Sequence, residues 1–350
     1  MVSPRGRHSS KSKTMASLGE FGLIQKIRQM LPGTTAAVEC GIGDDAAVVK
    51  LPGTSSRRIL ITADMMVEET HFSLSFISPF ALGRKAAAIN FSDIAAMGGT
   101  PRIMLVSVGL PSGFRTETIM TIYRGLRAEA KKIGCRIIGG DTVRAKCLIL
   151  DVTVVGMLKV GQAPAYRSKA RQGQHVYVTG YPGESGAGLE VLRGTWRLKK
   201  RLGRTATRLI ARHVTPTPRV REGKILSQYF RDLAMIDVSD GVYSDLNMLA
   251  TASRKGIQIE LERLPCSAAL RRFCNAVNKD ALNYVLFGGE DYELLFTTRA
   301  SPEEITRAFR RHRIRTPVSQ IGKIGGQGVV FLDASGKVRR LRDKTFKHFS

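Results

Sequence analysis

Asn90-Phe91-Ser92-Asp93-Ile94-Ala95-Ala96-Met97-Gly98 closes a run, Pro79 to Met97, whose pattern decides how the rest of the chain is read. Proline stands in its first turn, where a missing N–H costs little, alanines fill its interior, and Gly98-Gly99 before Pro101 stops it. A helix is expected, with Asn90 and Asp93 one turn apart on the same face. On either side, Ile59 to Thr62 and Ile103 to Val108 are short, apolar and β-branched, as are Arg136 to Ile138 and Leu148 to Val155, so all four read as strands. Glu117 to Ile133 sets Ile119, Ile122, Leu126, Ala130 and Ile133 at helical spacing and stops at Gly134.

The pattern restarts after a charged loop around Arg167 to Gln174. A strand at His175 to Thr179 leads into the glycine-rich turn Gly180 to Gly186 and a helix over Ala187 to Leu192. A basic helical stretch then reaches the turn at His213 to Arg219, followed by a helix at Val220 to Tyr229 and a strand at Leu233 to Asp237. Ser239 is expected to cap a helix extending to Lys255. Mixed strands and helices in two halves imply an α/β and α+β chain with a boundary near residue 160. A length of 350 residues with 43% hydrophobic content suits two cores. The expected parts are a basic, disordered tail over 1–17, an N-terminal domain over 18–160 and a C-terminal domain over 161–350.

Composition excludes several classes. The most apolar stretch, Leu148 to Leu158, is short and carries Asp151, so it reads as a buried strand and not as a membrane span. Cys40, Cys135, Cys147, Cys266 and Cys274 are widely spread and show no metal-binding or redox pairing, which fits small core residues in a reducing cytoplasm. The formal charge of +26 invites a nucleic-acid reading. Against it, basic residues crowd the first fourteen positions, Arg193 to Arg231, Arg307 to Arg315 and Lys337 to Lys347, leaving the glycine- and aspartate-rich stretches nearly free of them. Aromatic residues are scarce, at 7%. A generally basic surface accounts for the charge, and no nucleic-acid partner is expected.

Only 29 residues are acidic, yet many sit in apolar or glycine-rich contexts where a lone carboxylate is costly to bury. They are Asp44-Asp45 after Gly41-Ile42-Gly43, Asp64 at a strand end, Asp93 on the helix, Asp141 in Gly139-Gly140-Asp141-Thr142, Asp237 and Asp240 around Ser239, and Glu290-Asp291 in Gly288-Gly289-Glu290-Asp291-Tyr292. Taken singly, each has an ordinary reading as a turn, a cap or a solvated helix residue. Taken together, a shared divalent cation is the economical account. Magnesium takes oxygen ligands and prefers one or two carboxylates per ion, with phosphate oxygens completing the shell, which is the arrangement that phosphoryl transfer needs.

In this order the motifs, with Thr62-Ala63-Asp64, His71-Phe72 and Glu293-Leu294 beside those above, are similar to those of the thiamine-monophosphate kinase family. The resemblance runs from about Gly19 to Phe349. It implies the two-domain fold of aminoimidazole ribonucleotide synthetase, an N-terminal domain that pairs in a homodimer, and transfer of phosphate from ATP to thiamine monophosphate. By the family pattern Asp45, Thr62, Asp64, Asp93, Asp141, Asp237 and Asp240 are expected to hold Mg2+. Gly140, Asp141, Arg167 and Ser239 are expected to meet ATP, and His71 and Glu290 the thiamine substrate.

Local features separate the relatives of this fold. A selenophosphate synthetase carries a catalytic cysteine or selenocysteine near its first glycine-rich loop, where this chain offers only Cys40. A hydrogenase-maturation relative ends in a reactive cysteine, whereas this chain ends His348-Phe349-Ser350. An ATP-using relative acting on another small acceptor is the alternative. Three departures from the family pattern stand out. Ala63 and Met65 replace hydroxyl residues beside Asp64, and Asp343 falls where an aromatic residue would stack on the thiamine, with Phe346 nearby as a substitute.

Overall fold

In the computed structural model, which describes residues 14–31, 33–51, 53 and 57–347, the run from Pro79 is the helix around which the first half is built. In chain order that half comprises α1 (Met15–Met30), β1 (Val38–Cys40), β2 (Ala47–Lys50), β3 (Arg58–Val67), α2 (Pro79–Ala96), β4 (Thr100–Leu110), α3 (Thr116–Ile133), β5 (Arg136–Gly139), β6 (Thr142–Arg144) and β7 (Ile149–Met157). Its sheet has the order β1-β2-β3-β7-β4-β5, with β6 also on β4. Ser78 caps α2 by accepting the Ala81 N–H at 3.2 Å, and α3 ends on Gly134 in the left-handed conformation. The two helices cross at glycines. A Cβ on Gly83 would lie 1.9 Å from the Ile122 carbonyl oxygen, and one on Gly125 would lie 2.1 Å from that of Phe80. Only residues without side chains allow this approach, which presses α2 onto the sheet with nearly all its side chains buried.

The second half comprises β8 (His175–Thr179), α4 (Glu184–Arg193), α5 (Trp196–Leu202), α6 (Arg204–Val214), α7 (Val220–Tyr229), β9 (Ala234–Asp237), α8 (Val242–Ser253), β10 (Ile257–Glu260), α9 (Ala268–Val277), α10 (Ala281–Phe287), β11 (Leu294–Thr298), α11 (Pro302–Arg311), β12 (Val318–Ile324), β13 (Val329–Leu332) and β14 (Val338–Arg339). Its sheet has the order β14-β13-β10-β12-β8-β11-β9. Strand β9 stands at the sheet edge, antiparallel to β11, and contacts α2 of the first half. The two halves therefore meet where β9 ends, at Asp237.

Most expected elements form with boundaries shifted by up to three residues, but several readings change. The strand expected to end at Thr62 runs on to Val67, so Asp64 lies inside β3 and not at a strand end. Ser239 does not cap a helix: α8 begins at Val242 after Gly241, and the Ser239 carbonyl instead accepts the Glu290 N–H at 2.7 Å. The helix after the glycine-rich turn starts three residues early, at Glu184, because the Asp291 carboxylate accepts the Gly183 and Ser185 N–H groups and anchors its first turn. Helix α1 begins at Met15, inside the segment read as a tail, whereas residues 1–13 and the closing His348 and Phe349 lie outside the described residues.

Candidate active site

Strand alternation turns Thr62 and Asp64 to one face of β3 and the exposed Ile61, Ala63 and Met65 to the other. The hydroxyl that Ala63 lacks is thus missing from the face opposite Asp64. Helix α2 supplies the partners of the first pair. Thr62 Oγ1 donates to Asp93 Oδ2 at 2.6 Å, and the Asp64 N–H donates to Asn90 Oδ1 at 3.1 Å. One residue before Asp93, the buried Ser92 donates through Oγ to Asp237 Oδ2 at 2.6 Å, joining α2 to the end of β9. Asp45 enters from the loop between β1 and β2. Carboxylate oxygens of Asp45, Asp93 and Asp237 lie within 4.8 Å of one another.

Arg167 faces this group. Its Nη2 and Nε donate to the two oxygens of Asp45 at 2.7 and 3.0 Å, and its backbone N–H donates to Asp44. One guanidinium does not balance the cluster. Burial, then the charge of Asp45, pushes the Asp44 carboxyl up to about 8. Burial raises Asp64 to about 6, with Asp151 and Asp45 adding to the effect and the hydrogen bond with Asp93 opposing it. Asp93 and Asp237 are driven well above the ordinary range, again by burial first and neighbouring carboxylates second. Crowded, desolvated oxygen donors of this kind suit a hard divalent cation, whose charge lets them all ionise.

A cleft of about 620 Å³ opens beside the cluster, and Asp64, His71, Asp93, Ser239, Asp240 and Glu290 all line it. Phe346, 68% exposed, stands on its wall. His71 Nδ1 accepts the Val67 N–H at 3.0 Å, which places the proton of a neutral imidazole on Nε2. A second cleft, of about 660 Å³, is bordered by Arg57, Arg102, Lys159, Arg221 and Lys224 with no carboxylate among its described lining residues, so it cannot hold such a cation.

One expected pair stands apart. The single chain does not bring Gly140 and Asp141 to the carboxylate group, because they follow β5, and both β7 and β4 lie between β5 and β3. That is three strand spacings of ~4.8 Å. Asp141 is exposed there, its Oδ1 accepting the Thr142 N–H at 2.8 Å. Gly140 has a local structural reason: at φ +156° its Cβ would sit 1.8 Å from the Val106 carbonyl oxygen.

The segment Gly288 to Leu294 distributes its acids among three tasks. Glu293 is buried in a paired contact with Arg219 Nε and Nη2, and also accepts from Thr179 Oγ1 at 2.7 Å. Asp291 anchors α4. Glu290, held at φ +63°, turns instead into the cleft, with Oε1 2.7 Å from Lys85 Nζ and Oε2 3.4 Å from His213 Nδ1. Sequence reasoning missed Lys85, His213, Ser92 and the buried Asp245, whose carboxyl burial drives well above the ordinary range. For Lys85 and Ser92 a signal existed: both are polar residues inside the alanine-rich run.

Residues 43–158 match the family of AIR synthase related protein, N-terminal domain, and residues 171–334 that of AIR synthase related protein, C-terminal domain. The thiamine-monophosphate kinase of Aquifex aeolicus is 35% identical over 96% of this chain and 99% of its own length. This chain belongs to the thiamine-monophosphate kinase family. The Bacillus subtilis thiamine-monophosphate kinase is 37% identical over 95% of this chain and 100% of its own length. Among solved structures, AaThiL complexed with AMPPCP and TMP superposes with a TM-score of 0.82 at 34% identity, covering 97% of this chain and 100% of that one. Membership of the thiamine-monophosphate kinase family agrees with the order of motifs along the chain and with the acidic cleft between its two sheets.

Proposed function

We propose that this chain phosphorylates thiamine monophosphate with ATP, giving thiamine diphosphate and ADP. The observation that carries this reading is the group Asp45, Asp93 and Asp237, assembled from both halves of the chain beside a cleft that Asp93 lines, in a member of this family. A terminal phosphate oxygen of the acceptor attacks the γ-phosphorus of ATP in line, and the bond to the bridging oxygen of ADP breaks as the new one forms. Mg2+, when bound, would neutralise charge on the phosphate oxygens. Asp45, Thr62, Asp64, Asp93, Asp237 and Asp240 are the residues proposed to hold it; Asp141, three strand spacings from Asp64 in the single chain, reaches it only across the proposed homodimer.

Gly140, Asp141, Arg167 and Ser239 form the proposed ATP set, in which Arg167 has the planar fork that suits phosphate. His71 and Glu290 receive the thiamine: the Glu290 carboxylate faces its positive thiazolium, and Phe346 offers an aromatic face. Residues 18–160 act as the ATP- and magnesium-binding half, which pairs in a homodimer, and 161–350 complete the site. Support for pairing comes from the sheet face opposite α2 and α3, where Ile61, Leu105 and Ile138 are 37%, 38% and 62% exposed. Five free thiols fit a reducing cytoplasm.

Replacing one central carboxylate tests the reading. Asp93→Asn keeps the shape of the side chain but removes the charge, and kcat should fall about 100-fold or more with the circular dichroism spectrum unchanged. Normal turnover in that variant would overturn the proposal.

A further inference from the structure

We propose that Lys85 is a positioning residue for the acceptor, fixing the Glu290 carboxylate in the thiamine-binding part of the cleft; this rests on the reading that Glu290 meets the thiamine. Lys85 is 1% exposed, inside the helix that also carries Asp93. A buried ammonium is a poor choice for stability alone, since an apolar residue of similar volume packs there at no greater cost. Among the described residues its ion-pair partner is Glu290, 2.7 Å from Nζ. Glu290 belongs to the other half of the chain and occupies a left-handed backbone conformation at φ +63°.

The arrangement is layered. Glu290 and His213 line the cleft, whereas Lys85 stands behind them and does not. His213 shares the other Glu290 oxygen at 3.4 Å and lies 3.1 Å from Ser185 Oγ. Burial first, and the Lys85 charge second, push His213 down to about 4, so of the two groups within 3.4 Å of the Glu290 carboxylate Lys85 is the one that carries charge near neutral pH. Burial alone would raise the Glu290 carboxyl, but Lys85 first, with His213 and His71 adding to it, brings the group below its ordinary value.

Two consequences follow for the acceptor. The carboxylate is kept negative for a cationic ring, and its orientation is set by an anchor that the substrate does not touch. Asp93 lies eight residues beyond Lys85 on the same rigid helix, about 12 Å along its axis. Helix α2 thereby fixes the separation between the acceptor's ring anchor and the carboxylates proposed to serve its phosphate.

Steady-state kinetics of the full chain with Lys85→Met, Glu290→Gln and the double variant, each checked by thermal melting, tests this. Lys85→Met should raise the KM for thiamine monophosphate at least about tenfold, the worth of a charge-assisted contact, with the KM for ATP within about twofold. Glu290→Gln should do the same, and the double variant should be no worse than Glu290→Gln because Lys85 acts through Glu290. A normal acceptor KM in Lys85→Met while Glu290→Gln is impaired would overturn the positioning role and leave the Glu290 reading standing. A normal acceptor KM in Glu290→Gln would overturn both. If Lys85→Met does not fold, Lys85→Gln, which keeps the length and a donor but removes the charge, decides: an acceptor KM raised at least several-fold with the KM for ATP within about twofold supports the role, and a normal acceptor KM, or an equal rise in the KM for ATP, refutes it.

Discussion

At the residue scale, the protonation of the cluster sets a measurable pH dependence. Asp44 and Asp64 are raised to about 8 and about 6 in the folded chain, from the ordinary carboxylate value they regain on unfolding. Between about pH 4 and pH 8 the folded chain therefore binds more protons than the unfolded chain, and stability falls as pH rises through that window. A divalent cation competes with those protons, so it binds more tightly at the alkaline end. The rise in melting temperature on adding millimolar Mg2+ is accordingly expected to be several-fold larger at pH 8 than at pH 5.5. Equal shifts at both values would contradict the assignment of these carboxylates. The aspartates were legible in the sequence because acids are few and these sit among glycines and β-branched residues. His213 was not, and Lys85 only as a polar residue in an alanine-rich run, since a lysine inside a helix reads as solvated until the fold brings Glu290 against it. Asp141 was legible as a motif but not as a position, because strand order alone decides its separation from Asp64.

At the scale of elements, α2 organises the site, and its position depends on the crossing with α3. Gly125→Val would force a branched side chain against the Phe80 carbonyl oxygen, where even a Cβ falls at 2.1 Å. The variant should lose about 3 kcal/mol of stability or more in urea unfolding. Since Asn90, Ser92 and Asp93 all ride on α2, residual folded protein should also show weakened Mg2+ binding. A stable Gly125→Val chain would mean that α2 is held by something other than this contact. The helix itself was plain from its proline start, alanine interior and glycine stop. The capping of α8 was misread because Ser239 has the right residue type two positions before the capping position, Gly241, and the Glu290 N–H takes its carbonyl instead. Local propensity could not foresee a partner supplied by another loop.

At the scale of the whole molecule, two sheets and their helices enclose a cleft whose lining comes from both halves, while one sheet face remains apolar and exposed. That face is expected to pair two chains. Light scattering should report a dimer, and Leu105→Glu, which puts a charge at the centre of the face, should weaken it at least about tenfold. A monomeric wild-type chain at micromolar concentration would refute the pairing. The two-domain division was visible in the sequence as a restart of the strand and helix pattern, whereas the open face was not, because a half-buried strand and a fully buried one share the same apolar residues. The central claim, direct phosphoryl transfer to thiamine monophosphate, is tested most directly by incubating the purified chain with Mg2+, thiamine monophosphate and ATP labelled in its γ-phosphate. The account predicts one labelled thiamine diphosphate for each ADP formed; label released only as inorganic phosphate, with thiamine monophosphate unchanged, would contradict it.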